Sequence, residues 1–211
     1  MFERFRSQFR LLPEGQQPVA PWDDGRLGAV TGHAELMASA AGCTFEGGLY
    51  RLHSAETGPV GQKVADAAFP EHAGRLSVFG FDWLGRQFAL DFGRLEAGEP
   101  RVMMLEPGTG EALEIPVGFV LFHDEEIVDY RDEALASEFF ESWLTAHPGG
   151  AALEVSQCVG YRVPLFLGGR DTVDNLEVTD FDAYWSITGQ LRVQTKDLAA
   201  GTPFRGVSIQ E

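Results

Sequence analysis

The residues able to do chemistry are five histidines, two cysteines and a large excess of carboxylates. A metal site or a Cys–His pair would need such ligands at short, regular spacings. The chain also lacks a GxSxG nucleophile turn, a GxxxxGK phosphate loop, an HExxH pair and a GxGxxG dinucleotide motif. We therefore expect no enzyme activity, no metal and no cofactor. The histidines have no ligand-like spacing to one another or to either cysteine; they are His33, His53, His72, His123 and His147.

Two aspartates are placed as a general acid and base would be. Asp82 and Asp91 flank a turn at Leu84 and Gly85, and paired carboxylates can share acid–base work. No nucleophile and no oxyanion-binding feature accompanies them. We interpret both as turn and edge-strand residues.

The charge balance is the unusual property of this chain. Its 16 basic residues face 32 acidic ones, which gives a formal net charge of −16. A nucleic-acid binder needs a surplus of Lys and Arg on its binding face, and anionic lipid attracts the same residues. We therefore expect no direct binding of nucleic acid and no binding to membranes. The charge is compatible with a basic partner, and equally with solubility through self-repulsion.

The acidic residues are concentrated in two places. Residues 124–133 carry six carboxylates against a single cation, Arg131. A second, looser group lies in residues 171–180. Such clusters are solvated faces or binding surfaces for a basic partner, where complementary charge speeds association; both interpretations stay open from charge alone. The members that we single out are Asp124, Glu125, Glu126, Asp129, Asp171, Asp174, Glu177 and Asp180.

Hydrophobic spacing defines the elements that must position these residues. Residues 1–11 have the spacing of a short helix, and further helices are indicated near 32–41 and 61–70. Between 75 and 117 the period falls to two, with Gly and Pro turns separating four short strands, which is typical of an antiparallel meander. The spacing predicts a helix over 132–146 with Asp132 as its N-cap, and Asp180 is the expected N-cap of a later helix. We predict an α+β fold, in which an antiparallel β-meander sheet is covered mainly on one face by helices.

No leader or membrane segment is indicated. The first residues are amphipathic and no apolar core of a signal peptide follows. The longest apolar runs have about five residues, well below the ~18–20 needed to cross a bilayer. We expect a cytoplasmic protein in which Cys43 and Cys158 are buried thiols.

Three segments of the last third resemble a known family. Residues 158–169, 174–180 and 184–191 read CVGYRVPLFLGG, DNLEVTD and YWSITGQL. They are similar to the C-terminal domain of DNase-immunity proteins of type VI secretion, although Arg162 stands where that family often has Lys. Residues 79–88 and 105–111 also resemble this family. The N-terminal region resembles the GAD-related segment that precedes the domain, and residues 47–52 resemble the glycine-rich start of a strand in the wider Smi/Knr-like superfamily.

The resemblance implies a function and a division of the chain. It implies a Smi/Knr-like fold with a GAD-related region at 1–130 and a C-terminal immunity-protein domain at 131–211, packed together as one compact unit. It also implies an inhibitor without catalytic residues, which binds a cognate toxin, a basic nuclease, by occluding its active site or DNA-binding groove. The eight carboxylates named above are then the expected toxin-binding residues. The alternative is a general Smi/Knr-like scaffold module with a cellular partner that is not a toxin.

Overall fold

The structure is a computed structural model that describes residues 1–148 and 153–196. Its main sheet has six strands: β1 (Thr44–Phe45), β2 (Tyr50–Leu52), β3 (Leu76–Asp82), β4 (Gln87–Glu96), β5 (Glu99–Glu106) and β6 (Glu111–Ile115). A second sheet pairs β7 (Gln157–Tyr161) with β8 (Leu176–Asp180). The helices are α1 (Glu3–Gln8), α2 (His33–Ala40), α3 (Thr57–Ala68), α4 (Phe119–Leu121), α5 (Ile127–Asp129), α6 (Arg131–Leu135), α7 (Ser137–Ala146) and α8 (Phe181–Thr195). A π-helical turn, Phe122–Glu126, joins α4 to α5.

The main sheet is a meander, as the turn pattern predicts. Its strands lie in the order β1-β2-β3-β4-β5-β6 and every neighbouring pair is antiparallel. The β4–β5 hairpin closes on Ala97 and Gly98, both at positive φ (53° and 86°). Such a two-residue turn matches the right-handed twist of the strands beside it. The α+β prediction with an antiparallel meander is confirmed.

Helices cover both faces of this sheet, and most of the helices lie on the same face. Phe88 and Leu90 of β4 belong to a large hydrophobic cluster with six of the eight helices of the described residues: α1, α2 and α4 to α7. Ala89, between them, faces the opposite side and a smaller cluster with α3 and α8. Because both faces are buried, β3 is buried at all seven positions and shows only part of the alternation expected of a half-exposed strand.

The predicted helix over 132–146 is two helices. The chain enters the left-handed region at Ala136 (φ 49°), which separates α6 from α7. Asp132 Oδ1 accepts the backbone N–H of Glu138 at 2.8 Å, so Asp132 caps α7 rather than beginning a single helix. The Asp180 prediction is confirmed, since its Oδ1 accepts the Ala183 N–H at 2.9 Å at the start of α8.

Three further features bear on the sequence predictions. Cys43 and Cys158 are buried free thiols, as expected. No helix of the described residues is long and apolar enough to span a bilayer. The division at residue 130 stays a prediction, and each hydrophobic cluster contains residues from both sides of it.

Candidate functional site

A buried ion pair occupies the turn between β3 and β4. The Arg86 Nε donates to Asp82 Oδ2 at 2.5 Å; the Asp82 side chain is fully buried and that of Arg86 is 7% exposed. Asp82 Oδ1 also accepts the backbone N–H groups of Leu84 and Arg86 at 3.0 and 2.9 Å. Burial raises the pKa of Asp82, which Arg86 opposes. The carboxylate therefore fixes the shape of the turn.

The same turn holds the C-terminal part of the chain in place. The Trp185 Nε1 donates to Gly85 O at 2.7 Å, and the Val159 N–H donates to Trp83 O at 2.7 Å. In the other direction, Trp83 Nε1 donates to Leu135 O at 3.0 Å. α8, β7 and α6 are thus all anchored on two residues of one hairpin turn, Trp83 and Gly85.

A second buried cation supports this junction. Arg51 is fully buried on β2, with its guanidinium 4.4 Å from the centre of the Phe81 ring. Its Nη1 donates to the carbonyls of Glu154 and Gln157, at 3.0 and 2.5 Å. Burial lowers the pKa of Arg51 to about 10, so it remains a cation at neutral pH. It ties the central sheet to the start of β7.

Neither aspartate of the hairpin is arranged for acid–base catalysis. Asp82 is committed to Arg86, and both carboxylate oxygens of Asp91 accept from the guanidinium of Arg75. The two residues thus have separate cationic partners. Asp82 is a turn residue, as the sequence predicts, but the edge-strand interpretation of Asp91 is wrong, because Asp91 lies in the interior strand β4, between β3 and β5.

The first acidic group is partly used inside the fold. Asp124 Oδ1 accepts the backbone N–H of Phe5 at 3.0 Å, which satisfies a free donor in the first turn of α1. Asp129 receives two hydrogen bonds from Arg4, at 2.8 and 2.5 Å. This partner lowers the pKa of Asp129. Two of the four carboxylates therefore attach α1 to the π-helical turn and α5.

Glu125 and Glu126 are the members of that group that remain available to a partner. Glu125 is exposed and Glu126 is half-buried. Burial, and then the nearby charge of Glu133, raises the pKa of Glu126. A basic partner at this position would relieve that repulsion. The candidate surface here is smaller than the sequence count of six carboxylates indicates.

The second acidic group lies elsewhere, on the two-stranded sheet and the connection between its strands. Asp171 accepts from the Tyr161 hydroxyl at 2.7 Å, and Glu177 forms a 3.4 Å ion pair with Arg162. Asp180 caps α8, and Asp174 is exposed. All four carboxylates lie on the surface of the same substructure. Their hydrogen-bond partners differ from those of the first group, which contacts α1.

The connection between β7 and β8, residues 162–175, is held in one shape, and we call it the 162–175 loop. The Asn175 side chain accepts the Val163 N–H at 3.1 Å and donates to the carbonyls of Val163 and Arg170, both at 2.9 Å. Gly168 takes a left-handed conformation (φ 88°). At Gly169 an added Cβ would lie 1.8 Å from Val163 O, so the close approach requires glycine.

This rigid loop presents apolar and charged side chains together. Val163 and Leu167 are 47% and 37% exposed, with Arg170, Asp171 and Asp174 also at the surface. Rigid apolar groups surrounded by polar ones are typical of protein-binding surfaces. The sequence motif indicated turns here. The role of Asn175 was missed, because its partner Val163 is twelve residues away and no local pattern marks that contact.

The histidines behave as structural groups where the structure shows their contacts. His123 is buried between the Tyr50 hydroxyl and Phe119 O, each at 2.8 Å, and burial lowers its pKa to about 3. His53 is buried beside Thr57 and Gln87, and burial lowers its pKa to about 4. Within residues 1–148 and 153–196, no three His, Cys, Asp or Glu side chains come together as metal ligands would.

A solved structure shares this fold. It is described as the crystal structure of Atu4351 from Agrobacterium tumefaciens. The likeness has a TM-score of 0.58 and covers 90% of this chain and 89% of the other, at 15% sequence identity. At that identity the likeness establishes the fold alone. No curated protein matches the chain.

The segment that carries both acidic groups matches a protein family. Residues 118–192 match the family described as "T6SS immunity protein Tdi1, C-terminal", where T6SS denotes the type VI secretion system. The matched segment is just over a third of the chain and runs from the start of α4 into α8. It supports the resemblance to type VI secretion immunity proteins and a role in toxin immunity. Proteins of this family inhibit toxins and are not enzymes.

Proposed function

We propose that this chain is an immunity protein that binds and neutralises a cognate toxin delivered by type VI secretion, and that the toxin is a nuclease. The observation that carries the proposal is the family match over 118–192, a segment that contains the ordered 162–175 loop and both acidic groups. The N-terminal region, 1–130, completes the protein as a GAD-related part of a Smi/Knr-like fold.

The charge of the chain supports a nuclease as the partner. A nuclease must present a basic surface to the phosphates of its substrate. A protein with a net charge of −16 complements that surface. The complementary charge speeds capture of the toxin and disfavours binding to proteins that are themselves acidic. Inhibition then follows from occlusion of the active site or the DNA-binding groove. The chain acts in the cytoplasm of the producing cell, where a nuclease would find its substrate.

The rigidity of the 162–175 loop supports tight inhibition. An inhibitor loses less conformational entropy on binding when its contact surface is ordered beforehand. Asn175, Gly168 and Gly169 hold this loop in shape without any partner. Asp171 and Asp174 provide carboxylates beside Arg162 and Arg170, and Val163 provides an apolar contact.

The test is protection by the full chain against the product of the adjacent gene. The two proteins are co-expressed, and growth, DNA integrity and formation of a complex are measured. We expect protection together with a stable complex, and weaker association at high salt. A chain that neither binds nor protects would contradict the proposal and would favour the general Smi/Knr-like scaffold.

A further inference from the structure

A small cleft lies between the two-stranded sheet and α8. Its floor is Gly160 and the ring of Tyr184, and its α8 wall contains Ile187 and Leu191. Its volume is about 150 Å³. Sites for small molecules usually measure ~300–1,000 Å³, so this cleft suits one side chain better than a ligand.

The absence of a side chain at position 160 allows Tyr184 to form one boundary of the cleft. A Cβ on Gly160 would lie 2.7 Å from the Tyr184 ring and 3.0 Å from Thr179 Cγ2. Tyr184 therefore packs directly against β7, and its hydroxyl accepts the Tyr161 N–H at 3.3 Å. This leaves Ile187, one turn further along α8, 42% exposed at the edge of the cleft.

A carboxylate stands at the mouth. Glu177 pairs with Gly160 across the β7–β8 ladder, and its Oε2 lies 3.4 Å from Arg162 Nε. Both side chains of this pair are more than half exposed. Exposed ion pairs contribute little to stability, so a cation from a partner can replace Arg162 at low cost.

We propose that this cleft is the anchor site for one arginine or lysine side chain of the toxin. The aliphatic stem of that side chain lies against Ile187, Leu191 and Tyr184, and its cationic head pairs with Glu177 in place of Arg162. Long basic side chains combine an apolar stem with a charged tip, and arginine is enriched among the residues that dominate binding energy. The proposal rests on the proposed function, because it names the part of the chain that contacts the toxin.

The test compares variants of the full chain for binding to the product of the adjacent gene by calorimetry. We expect Glu177→Gln and Ile187→Ala each to raise Kd at least tenfold. Arg162→Ala is expected to leave Kd unchanged or to lower it, because it removes the internal competitor for Glu177. Two controls are matched to these changes. Val193→Ala shortens an aliphatic side chain of α8 that is 40% exposed outside the cleft, and Asp182→Asn removes an exposed charge of the same helix.

The outcomes separate this inference from the proposed function. If the wild-type chain does not bind the toxin, the proposed function fails and the anchor site fails with it. If the wild-type chain binds and the Glu177 and Ile187 variants bind within twofold of it, the anchor site alone is wrong. An equal loss with Arg162→Ala would also overturn the inference, since the ion pair itself would then be the contact. Circular dichroism melting of each variant shows whether the fold is intact.

Discussion

The carboxylate of Asp82 and the guanidinium of Arg86 form an ion pair inside the β3–β4 turn, where Asp82 is fully buried and Arg86 almost fully. Arg86 extends the pair, because its Nη2 donates to Ala134 O at 3.1 Å in α6. The pair therefore holds together the end of β3, the residue that precedes β4, and α6. Removing one partner leaves the other charge buried without compensation.

Arg86→Met should therefore destabilise the protein strongly. Loss of one partner of a buried pair typically costs about 3–5 kcal/mol of unfolding free energy. Asp82→Asn added to Arg86→Met should recover part of the loss, because the buried negative charge disappears while an oxygen remains for the Leu84 and Arg86 N–H groups. Urea unfolding gives the unfolding free energy of the wild-type chain, of Arg86→Met and of the double variant. A double variant no more stable than Arg86→Met would show that charge burial is not the cause.

Acid should destabilise the fold through its buried histidines. The folded pKa values of His53 and His123, about 4 and about 3, lie below the ordinary value of 6.5. As the pH falls below 6.5, these histidines take up protons in the unfolded chain but not in the folded chain. The stability that the neutral histidines contribute is therefore fully present above pH 6.5 and is lost as the pH falls toward their folded pKa values. For His53 the loss is of the order of 3 kcal/mol. Unfolding free energies measured from pH 7 to 4 should show this slope, and His53→Gln should reduce it.

Asp180 caps α8, and two substitutions can separate its contribution to stability from the contribution of its charge to binding. Asp180→Ala removes the acceptor for the Ala183 N–H, and we expect a loss of about 1 kcal/mol. Asp180→Asn keeps a good cap without the charge, and it should be nearly as stable as the wild type. If the charge of Asp180 also contacts a toxin, Asn will weaken binding at constant melting temperature. Equal stability of the Ala and wild-type chains would contradict the cap.

The carboxylates of the first acidic group should likewise divide into those that stabilise the fold and those that contact a partner. Asp124→Ala should destabilise α1, because the Phe5 N–H loses its acceptor, at a cost of about 1 kcal/mol. Glu125→Gln should leave the melting temperature unchanged, since Glu125 is exposed. In the toxin-binding assay, Glu125→Gln with Glu126→Gln should slow association and flatten its dependence on salt. If neither the rate nor its salt dependence changes, these residues are a solvated face.

The order of the 162–175 loop should matter more for binding than for folding. Asn175→Ala removes three hydrogen bonds to Val163 and Arg170 at the surface, so we expect a small fall in melting temperature. Amide hydrogen exchange of residues 163–170 should rise. Affinity for the toxin should fall, because the loop must then be ordered on binding. Unchanged exchange in this loop would show that Asn175 does not hold it.

Local features of the fold were readable from the sequence, whereas pairings between distant residues were not. The meander followed from turn residues, and the α8 cap followed from Asp180 at the start of an apolar pattern. The prediction of one helix over 132–146 was wrong at Ala136: Asp132 lies inside α6 and accepts the Glu138 N–H at the start of α7, a contact that the apolar spacing does not mark. The acidic cluster was overestimated as a free surface, since Arg4 and Asp129 meet across 125 residues and no spacing rule predicts that pair.

The anchoring of α8, β7 and α6 on the turn at residues 83–86 has a consequence for how such proteins diversify. Backbone carbonyls of this turn, at Trp83 and Gly85, receive hydrogen bonds from the C-terminal part of the chain whatever side chains lie on the surface. A replacement for the C-terminal part would therefore have to seat its counterparts of Trp185 and β7 on the same turn. Substitutions at exposed positions leave that junction intact, and they are therefore the changes that this architecture accepts most readily.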